Sequence, residues 1–132
     1  MAIISKETEL QEELSQIYEE IISNRDEIKC ELKSLRHCFE DACNQHIDND
    51  FSYEEAFVSA KNRHQEKFIE YDMYCHVIEI LNDYKDIYDQ FPEYKEMYLT
   101  LYDVMIHLAK NEKYELAALL KIWVDKIKSV IA

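Results

Sequence analysis

Apolar residues in the first third of the chain recur at Leu10, Leu14, Ile17, Ile21, Ile28, Leu32, Leu35, Phe39 and Ala42. Steps of four and three place these side chains on one face of an α-helix. Between Ile21 and Ile28 the stripe passes through Arg25, so two steps of four follow each other, a stutter that locally relaxes a left-handed supercoil. Ser23 and Asn24 offer an N-cap for a separate second helix. No glycine or proline forces a break there, and sharp kinks need such a cause. The expectation is one helix over about 6–46, capped by Ser5 and about 60 Å long at the α-helical rise.

The run "DNDFSYEEAF" marks the next boundary. Ser52 and Glu55 have capping-box spacing, Phe51 and Ala56 form a small hydrophobic staple, and Asp48, Asn49 and Asp50 supply turn chemistry. A second helix is expected over 53–89, with Phe57, Ala60, His64, Phe68, Tyr71, Cys75, Ile78 and Leu81 inward. Phe91 is pushed away from helical dihedrals by Pro92, the one proline of the chain. Pro92 fits the first position of a third helix over 92–110, with Glu93 in its acidic first turn. Met97, Leu101, Val104 and Leu108 form its apolar stripe, and Asn111 can close it. A fourth helix over 112–130 carries Leu116, Leu119, Leu120, Trp123, Ile127 and Ile131, widened by Ala117, Ile122, Val124 and Val130. A helix so broadly apolar is central to a core or part of an interface.

These elements predict an all-α fold: an antiparallel bundle of about four helices, two long and then two shorter, in a single domain over 1–132. "YEEAF" and "YELAA" open two of the helices alike, but at 53 and 114 their spacing is not a multiple of the roughly 34 residues of a helix-pair repeat. They are shared helix grammar.

Composition sharpens the picture. A chain of 132 residues with 48% hydrophobic content can bury a core without a metal or disulfide. With no glycine at all, tight hairpins and phosphate-binding loops are disfavoured. The net charge is −13, unevenly spread: residues 1–103 hold 25 acids against 10 Lys/Arg, and residues 104–132 hold 3 against 5. Such a chain repels phosphate backbones and anionic lipids, so direct nucleic-acid and membrane binding are disfavoured and a basic protein surface is attracted. No apolar run approaches ~20 residues. The opening Met-Ala-Ile-Ile-Ser-Lys-Glu does not read as a secretory leader, which points to a cytoplasmic protein with Cys30, Cys38, Cys43 and Cys75 reduced.

Catalytic patterns are weak. No histidine has Glu three residues before it, as di-iron bundles require. His37, Cys38, Cys43 and His46 lie close in sequence, but Cys38 and Cys43 diverge by about 140° around a helix and do not converge on zinc. Antiparallel pairing of the first two helices would bring His37 and His64 to one level with Glu40 or Glu66 beside them, a weak acid–base or pH-sensing pair. No nucleophile elbow, Walker loop or redox Cys-x-x-Cys is present. We therefore expect no enzyme and no cofactor.

Tyrosine is the unusual feature. Eight of the ten lie between 71 and 114, and Tyr84-Lys85-Asp86-Ile87-Tyr88 is echoed by Tyr94-Lys95-Glu96-Met97-Tyr98 across Pro92. If Pro92 begins a helix antiparallel to the last, Tyr88 faces Tyr94 and Tyr84 faces Tyr98. The rings then pack together over Ile87 and Met97, or stand exposed as one face. Tyrosine is enriched at the energetic centres of interfaces. The candidate partner-binding residues are Tyr84, Asp86, Tyr88, Asp89, Glu93, Tyr94, Glu96, Tyr98 and Tyr102. The expected function is a small acidic protein-binding module that inhibits, neutralises or scaffolds a basic protein. The alternatives are a nucleic-acid mimic occupying a partner's DNA- or RNA-binding surface, and a structural homo-oligomer joined through helix 4.

Overall fold

A computed structural model describes residues 5–131. The chain is all-α: α1 Lys6–Asp48, α2 Glu54–Tyr84, α3 Tyr94–Lys110 and α4 Tyr114–Ile131. α1 is continuous through the stutter, and Ser5 caps it, its hydroxyl accepting the Thr8 N–H at 3.1 Å. α1 pairs with α2, and α3 with α4. The described residues form two compact units, 24–75, and 5–23 with 76–131.

The unit built from 5–23 and 76–131 holds most of the core. Leu10, Leu14, Ile17 and Ile21 of α1, Val77, Ile78 and Leu81 of α2, and Met97, Leu101 and Leu108 of α3 are buried. α4 supplies seven buried residues, among them Trp123, so its broad apolar face is used within this unit; Ile122 and Val130 stay exposed. The other unit is a two-helix hairpin with a thinner interior, in which Ile28, Leu32, Ala60 and Tyr74 are buried. Its rings form a ladder: Phe39 lies against both Phe57 and His64, and His46 lies between Phe57 and Phe51. Lys67 bridges Glu31 at 2.7 Å and Glu70 at 3.3 Å. Phe68, expected inward, is exposed; the inner face runs through Lys67 and Tyr74 instead.

Several boundaries differ from expectation. α2 begins after Tyr53, whose carbonyl accepts the first helical bond from Phe57. Ser52 therefore lies one residue too early for the capping box. The reason is the turn before it. α1 ends in a Schellman motif, with Phe51 N–H donating to the His46 carbonyl and Asp50 N–H to that of Ile47. His46 Nδ1 then accepts the Tyr53 N–H at 3.2 Å. α2 stops at Tyr84, before the expected 88–90, and residues 85–93 form a loop. Pro92 is not the first residue of α3; Glu93 is its N-cap and Tyr94 its first residue. Asn111 does end α3, but the left-handed residue is Glu112 at φ 61°. Glu112 N–H donates to the Ala109 carbonyl and Lys113 N–H to that of Leu108, a second Schellman motif.

A left-handed residue with a Cβ costs about 1–2 kcal/mol, and glycine avoids that cost. Glu112→Gly is expected to stabilise the fold by about 1 kcal/mol, read as a higher urea midpoint at unchanged slope. An unchanged or lower midpoint would contradict the motif.

The hydrogen bond that Lys67 donates to Glu31, and secondarily the Glu70 charge, hold the Lys67 pKa above its ordinary 10.5, with partial burial opposing them. A raised lysine stabilises below its unfolded value and loses that contribution as pH rises through the folded one. The urea-midpoint gap between the native chain and Lys67→Met should be constant from neutral pH to about 10 and shrink above lysine's ordinary value. A gap that does not change across that range would sink the assignment.

Candidate functional site

The region nominated for partner binding centres on loop 85–93, which joins α2 to α3. Its fixed point is Phe91, fully buried with its ring edge-to-face on Trp123 at 4.8 Å and tilted against Tyr18 at 5.8 Å. Burying a residue outside any helix leaves its backbone polar groups without a helical partner. Gln11 supplies both bonds: its Oε1 accepts the Phe91 N–H at 2.7 Å, and its Nε2 donates to the Phe91 carbonyl at 3.0 Å. The same Nε2 donates to Tyr94 Oη at 2.8 Å. Gln11 is the one buried polar or charged residue among those described. Its spacing to Leu14 and Tyr18 puts it on the inner face of α1, the signal that sequence reading passed over.

Asp86 organises the other end of the loop. Its carboxylate accepts the N–H groups of Tyr88 and Gln90 at 2.9 and 3.0 Å, and its own N–H donates to the Gln90 carbonyl at 2.8 Å. Asp89 then takes a left-handed conformation, φ 59°, which aspartate tolerates better than most residues. Lys85 folds back over the Tyr18 ring, its Nζ 4.5 Å from the centroid, and pairs with Asp89 at 3.6 Å. This bonding leaves Ile87 and Tyr88 at the tip, 89% and 76% exposed.

The expected four-tyrosine mirror is not formed. Tyr88 is off the helix, and Ile87, expected beneath the rings, is the most exposed large apolar residue described; Met97 is fully buried as expected. Tyr84 Oη shares a hydrogen bond with Thr100 Oγ1 at 2.9 Å, and Tyr94 is held by Gln11. Tyr98 and Tyr102 stack on each other at 6.0 Å on α3, Tyr102 being exposed. Of the nominated acids, Asp86 is engaged in loop structure, while Asp89, Glu93 and Glu96 face solvent. Glu93 and Glu96 stand side by side at the start of α3. Shared hydrogen bonding, with the repulsion of Glu96 secondary, raises the Glu93 pKa above the ordinary carboxylate range. Two like charges held together favour an incoming cation.

Other places offer less chemistry. A groove of about 1010 Å³ between the start of α1 and the end of α4 is floored by Leu10, Tyr94, Ile122 and Val130, and Lys126 pairs with Glu13 across its rim at 2.8 Å. The proposed His37–His64 pair is not formed: His37 is exposed beside Glu40, while His64 stacks on Phe39 with a buried Nε2 that lacks a hydrogen-bond partner. The Cys75 thiol beside Tyr71 pushes that phenol above its ordinary value. Among the described residues, no three of His, Cys, Asp and Glu gather around one point. Among the same residues, no helix is long and apolar enough to cross a membrane. Comparison with family models, curated proteins and solved structures returned no match.

Removing a buried bonding side chain leaves the partner groups unsatisfied, about 1–3 kcal/mol for each group. Gln11→Ala orphans both the Phe91 N–H and its carbonyl, so it should destabilise by about 2–4 kcal/mol in urea unfolding. Hydrogen exchange should accelerate at Tyr88, Gln90 and Phe91. A loss below about 1 kcal/mol would mean that Phe91 is held by ring packing alone.

Proposed function

We propose that this chain is a small acidic protein-binding module that docks on the basic surface of a protein partner and inhibits, neutralises or scaffolds it without chemistry of its own. The observation that carries this reading is loop 85–93, which holds Ile87 and Tyr88 in solvent amid acids. From Asp83 to Glu96 the chain has five acids (Asp83, Asp86, Asp89, Glu93, Glu96) against Lys85 and Lys95. Of those two lysines, Lys85 is turned inward over Tyr18. Apolar and aromatic side chains in a negative field suit a protein surface rich in Lys and Arg, and the same field repels nucleic acid. All four thiols are unpaired, which fits work in a reducing compartment such as the cytoplasm.

Affinity capture from the source organism should recover a basic protein whose binding weakens with salt. Measured with that protein after purification, Asp89→Asn, Glu93→Gln and Glu96→Gln together should weaken binding roughly tenfold at low salt and flatten the salt dependence. Affinity indifferent to both salt and these substitutions would remove the basic partner. Displacement by excess DNA would mark the partner's nucleic-acid channel as the docking site, the mimic form of this reading.

A further inference from the structure

We propose that Ile87 and Tyr88 form a preorganised anchor that inserts into an apolar pocket ringed by Lys and Arg on the partner protein. This rests on the protein-binding reading above and names the contact that would dominate it.

The loop is pinned from both ends, and its tip is left free. Phe91 is locked by Gln11 and packed on Trp123, Asp86 ties the backbone of Tyr88 and Gln90, and Lys85 is drawn onto Tyr18. Free loops lose binding energy when they become ordered on a partner; a loop already held in one conformation avoids that loss. Nothing in the internal bonding requires an isoleucine and a tyrosine at the tip, since the contacts around them use backbone atoms. With Ile87 89% and Tyr88 76% exposed, the pair projects outward as a knob, and its complement is a hole. Buried aromatic anchors in desolvated pockets carry most of the energy of many interfaces.

Charge selects the partner. Asp89, paired with Lys85 at 3.6 Å but with its side chain 83% exposed, sits next to Tyr88, and the Glu93–Glu96 pair lies beyond Pro92 at the start of α3. A guanidinium or ammonium at the pocket's edge would relieve the repulsion within that pair. A second copy of this chain is disfavoured as the recipient. Each copy carries −13. Its own groove is also rimmed by Glu7, Glu9, Glu13 and Asp125 against Lys6 and Lys126, so an acidic tip would meet an acidic rim.

The test uses the full chain with a photoreactive benzoyl-phenylalanine in place of Ile87, irradiated in lysate of the source organism. A matched control carries the probe in place of Tyr114, an exposed residue at the start of α4. The proposal expects one basic protein cross-linked from position 87 and not from 114. A product at twice the chain's mass, or the same adduct from both positions, would overturn it. With the recovered protein purified, Ile87→Ala and Tyr88→Ala should each weaken binding roughly thirtyfold while leaving the salt slope intact. Gln11→Ala should also weaken binding although it leaves the tip chemistry unchanged. If the native chain still captures a basic partner in a salt-sensitive way but the tip substitutions change nothing, the anchor is wrong and the module survives. If the native chain captures nothing, the module itself fails.

Discussion

The two hydrogen bonds between the Gln11 amide and the Phe91 backbone are the constraint on which the rest of the larger unit depends. A side-chain amide is one of the few groups that presents a donor and an acceptor side by side, so it can satisfy both backbone groups of one residue as a neighbouring strand would. Phe91 is non-helical because Pro92 follows it. Without Gln11, the same residue would bring unsatisfied polar groups into the core, and its ring could not lie on Trp123 without that cost. With Gln11 in place, the connection between α2 and α3 becomes part of the core. The third bond, to Tyr94, carries the fixation into the first turn of α3.

A chain without glycine must turn by other means, and its left-handed residues show how. Asp50, Phe51, Asp89 and Glu112 have positive φ. Asp50 and Glu112 stand where a Schellman motif most often has glycine. Each therefore stores a modest strain that must be offset locally. At the end of α1 the offset is visible: Phe51, the residue after the left-handed Asp50, lays its ring edge against His46, and His46 accepts the next free backbone N–H. The turn is held by contacts between side chains that a glycine-based turn would not need.

Much of the helical pattern was legible in the sequence. The three-and-four stripe of α1, with no breaker across Ser23–Asp26, carried its continuity, and the broad apolar face of α4 marked it as central. The misreadings have local causes. Ser52 looked like a cap because the spacing to Glu55 is right, but two left-handed residues just before it shift the start of α2 by one. Phe68 keeps helical spacing with His64 and Tyr71, but so does Lys67, and the stripe through Ala60, His64, Lys67, Tyr71 and Tyr74 is the one turned inward, with a lysine at the disputed place. That lysine is tolerated because two carboxylates meet it. The nominated surface region was found by its tyrosines and acids. Its organising residue, Gln11, lies eighty positions earlier, and no local pattern connects it to the loop.

The repeated pentad shows how small a difference decides between helix and loop. Tyr84-Lys85-Asp86-Ile87-Tyr88 and Tyr94-Lys95-Glu96-Met97-Tyr98 differ in kind only at the third and fourth positions. In both copies the first tyrosine is tied to another side chain by its hydroxyl, to Thr100 in one and Gln11 in the other. Beyond it the copies part. The aspartate is short enough for its carboxylate to take backbone N–H groups two and four residues on, which offers the chain an alternative to helical bonding. The glutamate of the second copy is one methylene longer and favours the helix. Its pentad stays helical, and Met97 is carried into the core. Ile87, in the matching position of the first copy, leaves the helical path and faces water. The matching position is thus a core residue in one copy and exposed in the other, and the exposed copy is the one whose apolar side chains remain available to another molecule.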